Sequence, residues 1–204
     1  MNNIIIPEKI DTIVSSYGGV GTTFLLNFLS NYKNTNDSND SDGLKHLKNP
    51  PTNLHRDIKF IYIYGNPILA TISIFRRNYH FKQSLKLQKQ TNKKINVIPR
   101  EMCLEEYASE GIDKFLFEDH FYNWYDKAIY PTFFVKYEKL HNVIRPLFNF
   151  LEIPEKYLNC FPTSTTRQSS LKDISLKTQK ELHKLYGRFN NDLKLLDDFE
   201  IKNM

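Results

Sequence analysis

A glycine-rich turn between a strand and a helix constrains this chain more than any other stretch of it. Asp11-Thr-Ile-Val-Ser-Ser16 carries β-branched residues and reads as a short strand. Tyr17-Gly-Gly-Val-Gly-Thr-Thr23 follows as a tight loop, after which Phe24, Leu25, Phe28, Leu29 and Tyr32 recur at helical spacing. That order points backbone N–H groups and the positive end of a helix dipole at an anion. Gly18, Gly19 and Gly21 let the main chain turn sharply and let a ligand approach it, while Thr22 and Thr23 add hydroxyl donors that a mere turn does not need. The loop is not a Walker A sequence. That motif places a Lys before its final Ser/Thr to reach the β- and γ-phosphates, and here Gly21 stands there. A P-loop nucleotide kinase is the weaker reading for that reason.

The rest of the chain alternates apolar strands with helices. Ile58–Tyr64 is almost wholly β-branched or aromatic, as in a parallel strand buried on both faces. Gly65-Asn66-Pro67 stops it, and the pattern predicts one helix over Ile68–Lys89. Helices are expected over Glu101–Ser109, Ile112–Lys127 and Val143–Glu152, and a third strand over Thr132–Tyr137. A last helix runs from Thr178 to about Phe199, with Thr178 and Glu181 as a capping box and Gly187 as a possible break. Lys33–Gly43 is polar, of low complexity, and reads as a disordered surface loop. The expectation is a single α/β domain over residues 1–204, its central parallel sheet flanked by helices.

Composition narrows the function classes. A chain of 204 residues with 40% hydrophobic residues can bury a core without staples. A net charge of +5 suits one anionic ligand and is too weak to argue for nucleic acid. Lys82–Arg100 holds basic residues and no acid; it reads either as a solvated helix end and loop or as a lip that attracts an anion. Cys103 and Cys160 fit a reducing compartment without disulfides, and no metal-site spacing is present. No apolar run approaches the roughly 20 residues that span a bilayer. No signal peptide is read at the start, so the expected location is cytoplasmic. The abundance of Asn, Lys and Ile is that of proteins from AT-rich genomes, such as those of large viruses or protists.

Several motifs in order resemble the sulfotransferase family. That family's phosphosulfate loop reads approximately Pro-Lys-Ser-Gly-Thr-Thr-Trp-Leu after a strand, and this chain has Gly18-Gly19-Val20-Gly21-Thr22-Thr23-Phe24-Leu25. Its 3′-phosphate motif, Arg-Asn-Pro followed by a Ser, is similar to Gly65-Asn66-Pro67 with Ser73 at the matching distance. Trp124, the strand leading to Tyr137-Glu138-Lys139-Leu140, Phe150-Leu-Glu-Ile-Pro154, Thr166-Arg167-Gln-Ser169-Ser170 and the Leu182–Leu196 helix continue the likeness, which covers residues 11 to 196. The resemblance implies a P-loop-NTPase-like three-layer fold. It also implies transfer of a sulfuryl group from 3′-phosphoadenosine 5′-phosphosulfate (PAPS) to a hydroxyl or amine of a small-molecule, glycan or peptide acceptor, without metal. By the same likeness, Gly18–Phe24 would cradle the phosphosulfate, and Ser73 with Arg76, Arg77 or Arg167 would hold the 3′-phosphate. Many soluble members take the acceptor proton on a His in a Lys-Thr-His-Leu context; Leu44-Lys45-His46-Leu47 is similar, which makes His46 the candidate base and Lys45 its neighbour. His46 reads equally as an exposed loop residue. Imidazole is the side chain whose ordinary pKa suits proton removal near neutrality.

Two departures define the competing reading. Gly19 replaces the loop Lys and Gly65 the 3′-phosphate Arg, both cations that face anionic oxygens. A chain without them could keep the fold and an anion pocket yet act as a nucleotide-binding or interaction protein. Arg76, Arg77, Lys45 and Arg167 are the cations available to compensate, and the acceptor pocket is expected from Lys82–Met102 and the C-terminal region.

Overall fold

The computed structural model describes residues 6–54, 57–89, 96–163 and 168–203. In chain order the elements are β1 (Thr12–Ser15), α1 (Thr22–Leu29), β2 (Lys59–Tyr64), α2 (Pro67–Arg76), α3 (His80–Lys89), α4 (Leu104–Glu110), α5 (Phe117–Lys127), β3 (Thr132–Lys136), α6 (Ile144–Leu151), α7 (Leu176–Leu195) and β4 (Phe199–Lys202). The architecture is α/β, with one sheet in the order β1-β2-β3-β4.

β1, β2 and β3 are parallel, with Val14 opposite Ile61 and Ile61 opposite Phe133. β2 is central and buried, as its continuous apolar run requires. Side chains leave the sheet on alternate faces. Tyr62 and its partner Phe134 face α5, where Tyr62 meets Trp124 at a ring separation of 5.3 Å. Phe133 points the other way and meets Phe150 of α6 at 5.5 Å. Phe28 of α1 stacks on Phe148 of α6 at 5.9 Å, and Phe189 of α7 meets Phe121 of α5 at 5.8 Å. Helices therefore cover both faces.

The sheet is mixed rather than wholly parallel. β4, which the sequence pattern did not anticipate, pairs antiparallel with β3. The cause lies in where α7 ends. Lys136, the last residue of β3, donates through Nζ to the carbonyls of Lys194 and Leu196, and through its backbone N–H to Asp198. α7 thus finishes at the carboxyl end of β3, and a strand starting there can only run back.

Three other expectations change. Ile68–Lys89 is two helices, because Asn78 takes a left-handed backbone (φ 55°) between α2 and α3. α7 begins ahead of Thr178: Ser175 is its cap, accepting from the Thr178 N–H at 3.1 Å, and the helix continues through Gly187 unbroken. Residues 33–43, expected as a disordered loop, follow a defined path along the free edge of β1. Thr35 bridges Thr12, and the buried Asn36 amide accepts from Val14 N at 2.8 Å and donates to Val14 O at 3.2 Å. One side chain thus supplies both hydrogen bonds of an absent strand. Asp37 holds the following turn by accepting from Asn39 N, Ser41 N and Ser41 Oγ. No helix among the described residues is long and apolar enough to cross a membrane.

Candidate functional site

The loop after β1 is built as a cradle. Gly18, Gly19 and Gly21 all have positive φ, of 98°, 72° and 76°. A Cβ on Gly19 would lie 2.7 Å from the Ala70 carbonyl, and one on Gly21 would overlap the Tyr137 ring. Gly19 and Gly21 therefore require glycine for space as well as for torsion, and Gly18 for torsion. Ser16 Oγ accepts from Gly18 N at 3.0 Å and pairs with Thr22 Oγ1 at 2.6 Å, while Gln83 of α3 donates to the Tyr17 carbonyl at 3.0 Å. Val20 is fully buried. Gly21 is the cap residue of α1, and no side chain caps that helix. Its first-turn N–H groups are therefore left without a capping side chain.

Tyr17 fastens the loop to the sheet. The fully buried phenol donates to the Gly65 carbonyl and accepts from the Gly65 N–H at 2.9 Å. The ends of β1 and β2 are joined by that one hydroxyl.

The two threonines behave differently. Thr22 is buried and its hydroxyl turns inward to Ser16, so at this position only the backbone faces a ligand. Thr23 is exposed, and Lys45 Nζ donates to its Oγ1 at 2.6 Å and to the Ser38 carbonyl at 2.6 Å. A cation therefore stands at the loop although Gly19 carries none. Burial pushes the Lys45 ammonium below its usual pKa, with Asp40 and Asp37 pulling it up and Lys86 and Arg77 pushing it further down. Lys86 pairs with Asp40, whose carboxylate also accepts from Lys45 N at 3.1 Å. The site thus gathers three cations, Lys45, Lys86 and Arg77, against two carboxylates. One of those cations comes from the basic Lys82–Arg100 stretch.

His46 lies beneath this cradle and is 7% exposed. Nδ1 donates to the Ser16 carbonyl at 2.8 Å, so Nδ1 carries the proton of the neutral ring. Burial, helped by Lys45 and Lys86, pushes its pKa down to about 4 against the pull of Asp40. His120 of α5 is buried nearby, its Nδ1 2.7 Å from the Tyr62 hydroxyl; burial, then the His46 charge, push it down to about 3. Both rings are neutral at neutral pH. The segment is anchored from outside the cradle by Trp124, whose Nε1 donates to the Leu47 carbonyl at 2.6 Å.

The residues assigned to the 3′-phosphate do not converge as closely. Ser73 contributes its carbonyl to Arg77 Nε at 3.0 Å. Arg76 turns away to Gln168, reaching Oε1 at 2.9 Å. Arg77 lies over the Tyr79 ring and, of the two, is the one whose charge reaches Lys45. Arg167 lies outside the described residues. At the Gly65 position the nearest group is a carboxylate: a Cβ there would come within 2.8 Å of Glu138 Oε2, and Glu138 accepts from Asn66 N at 3.0 Å. Phe24 is half-buried and forms an aromatic cluster with Phe161 at 5.6 Å and His141 at 6.1 Å.

Sequence reasoning missed Tyr17, Asp40, Gln83 and Glu138. Asp40 was hidden in a run of Asn, Asp and Ser that resembles disorder, and Gln83 lay in a helix whose break had not been placed. Beside the loop, a cavity of about 900 Å³ opens at the carboxyl ends of β2 and β3. It includes C-terminal residues from Asn190 to Phe199 but none from Lys82–Met102. Among the described residues no group of three His, Cys, Asp or Glu side chains could hold a metal ion. Comparison of the chain with protein-family models, with curated proteins and with solved structures gives no match.

Proposed function

We propose that the chain is a sulfotransferase-like protein of P-loop-like fold, which binds a phosphosulfate nucleotide (PAPS) on the Gly18–Phe24 loop and passes its sulfuryl group to a hydroxyl or amine acceptor. The observation that carries this reading is the Lys45 ammonium, 2.6 Å from Thr23 Oγ1 at the open N-terminus of α1. It supplies from a neighbouring segment the cation that the loop lacks at Gly19. In the transfer, the acceptor oxygen or nitrogen forms a bond to sulfur as the bond from sulfur to the 5′-phosphate oxygen breaks. The products are the sulfated acceptor and 3′,5′-adenosine bisphosphate. Lys45 and the loop N–H groups would stabilise charge growing on the departing phosphate oxygen, which lowers the barrier more than it tightens ground-state binding. His46, neutral and with its proton on Nδ1, would accept the acceptor's proton at Nε2. Arg77 is the nearest candidate for the 3′-phosphate.

A second reading has its own support: binding of the bisphosphorylated nucleotide without transfer. Glu138 puts a carboxylate at Gly65, and His46 is buried against Ser16, a position that suits holding the loop. Titration with 3′,5′-adenosine bisphosphate, followed by melting temperature, tests the site common to both. A ligand that binds the folded state raises the melting point by mass action, and no rise at millimolar ligand would sink both readings. Given a rise, transfer of radiolabelled sulfate from PAPS to phenols, sugars and peptides separates them. His46→Gln should then abolish turnover and keep the thermal shift.

A further inference from the structure

The cavity at the carboxyl ends of β2 and β3 has a different chemistry from the loop. Its charged groups balance: Lys136, Lys139 and Lys194 stand against Glu138, Asp197 and Asp198. Several are already engaged. Lys136 Nζ holds the Lys194 and Leu196 carbonyls, Lys139 Nζ lies 3.6 Å from Asp198, and Glu138 receives the Asn66 N–H. The lining thus carries no net charge that would select an anion or a cation.

What remains unsatisfied is an amide. Asn190 lines the cavity from the inner side of α7, is 5% exposed, and its side chain makes no hydrogen bond among the described residues. Its neighbours on that face, Tyr186, Phe189 and Leu193, are all buried. The amide atoms are not sealed from solvent, so they open on the cavity, and Leu there would continue the apolar face of Tyr186, Phe189 and Leu193. The exposed Asn142 presents a second such amide at the rim. An amide offers a donor and an acceptor side by side, and its complement is a group that does the same, such as adjacent hydroxyls. Tyr64 is 2% exposed and Phe199 already lies flat on Phe133 at 5.1 Å. Hydrogen bonding rather than ring stacking therefore decides what is held, which disfavours a planar heterocycle. Val143 and Leu193 offer apolar wall to C–H faces, and the volume admits a ligand of one or two sugar rings.

We infer that this cavity binds a neutral polyhydroxylated ligand of mono- or disaccharide size through the amides of Asn190 and Asn142. The inference deepens the proposed function by naming a sugar as the class of acceptor, and it rests on that reading only for the sugar's role, since its test does not depend on what the loop binds. The full chain, labelled with nitrogen-15, is titrated with glucose, galactose, maltose and lactose, and separately with 3′,5′-adenosine bisphosphate. Expected is a saturable shift of the Asn190 side-chain NH₂ signals with at least one sugar. Asn190→Leu should weaken that binding about ten-fold or more while melting no lower than the wild type. Asn142→Ala, at an exposed position that leaves the fold alone, should weaken it too. The inference is overturned if no sugar shifts Asn190 at tens of millimolar, if the shift persists in Asn190→Leu, or if that variant melts markedly lower, which would make the amide structural. A shift of Asn190 with the bisphosphate and with no sugar also overturns it. Shifts of the Gly18–Thr23 amides report separately on the loop, so the two failures cannot be confused.

Discussion

At the scale of single residues, Lys45 and the loop glycines carry the most weight. A charged hydrogen bond to an anion is worth roughly 1.5–3 kcal/mol. Lys45→Met should therefore weaken 3′,5′-adenosine bisphosphate binding by roughly 10- to 100-fold in calorimetric titration, and an unchanged affinity would show that the ammonium serves only the Ser38 turn. The glycines set the opposite kind of test. Gly21→Ala must hold a side chain at φ 76° against the Tyr137 ring, and should lose about 2 kcal/mol or more in denaturant unfolding. Gly19→Lys looks in sequence like a restoration of the sulfotransferase-like loop. Here it meets the Ala70 backbone at 2.7 Å with φ 72°, so it should destabilise the protein and fail to raise activity. The glycine pattern was legible because torsional freedom is written in residue type. The partner at each glycine was not, since Ala70, Gln83 and Tyr137 arrive from other elements.

At the scale of elements, the buried imidazoles make the packing beneath the loop sensitive to acid. His46 and His120 have folded pKa values of about 4 and 3, below the ordinary 6.5, so the unfolded chain binds more protons. Stability is complete above pH 6.5 and is lost as pH falls toward 4. Asp113 works the other way. Half-buried at the turn before α5, it accepts from Tyr186 OH at 2.8 Å and from Phe115, Leu116 and Phe117 N–H groups, and the loss of solvent around it raises its pKa to about 6. Its folded form holds the proton more tightly than the unfolded one, so between pH 6 and 4 acid favours folding at this site. Asp113→Asn removes that offset, and unfolding free energies measured from pH 7 to pH 4 should fall more steeply in the variant. A parallel or shallower slope would contradict this assignment. β2 and α5 were readable from their own periodicity. The α2–α3 break depended on one Asn at positive φ, and β4 on the place where α7 ends, which no local pattern records. Residues 33–43 looked disordered because their order comes from Asn and Asp side chains bonding to backbone, an arrangement that composition alone does not distinguish from a solvated tract.

At the scale of the whole molecule, only a small part of the net charge of +5 stands at the loop, where three cations face two carboxylates. Lys45, Lys86 and Arg77 meet at the loop, whereas the neighbouring cavity is balanced. Raising ionic strength from about 0.05 to about 0.3 M should weaken bisphosphate binding several-fold, because partly exposed charges are screened over that range. Sugar binding in the cavity should be unmoved. Equal salt dependence at both sites would mean that the charge is spread over the surface rather than gathered. One further feature ties this charge to something observable. Trp124 is the chain's only indole, and its N–H is bound to the Leu47 carbonyl, two residues beyond Lys45. The protein therefore carries an intrinsic fluorophore wired to the segment that brings the cation to the loop. A ligand that draws the Lys45–Leu47 backbone forward should strain or release that indole bond, and the emission should then change with the same midpoint as the heat of binding. A ligand received by a cradle already in place will leave the tryptophan emission constant while the heat is evolved.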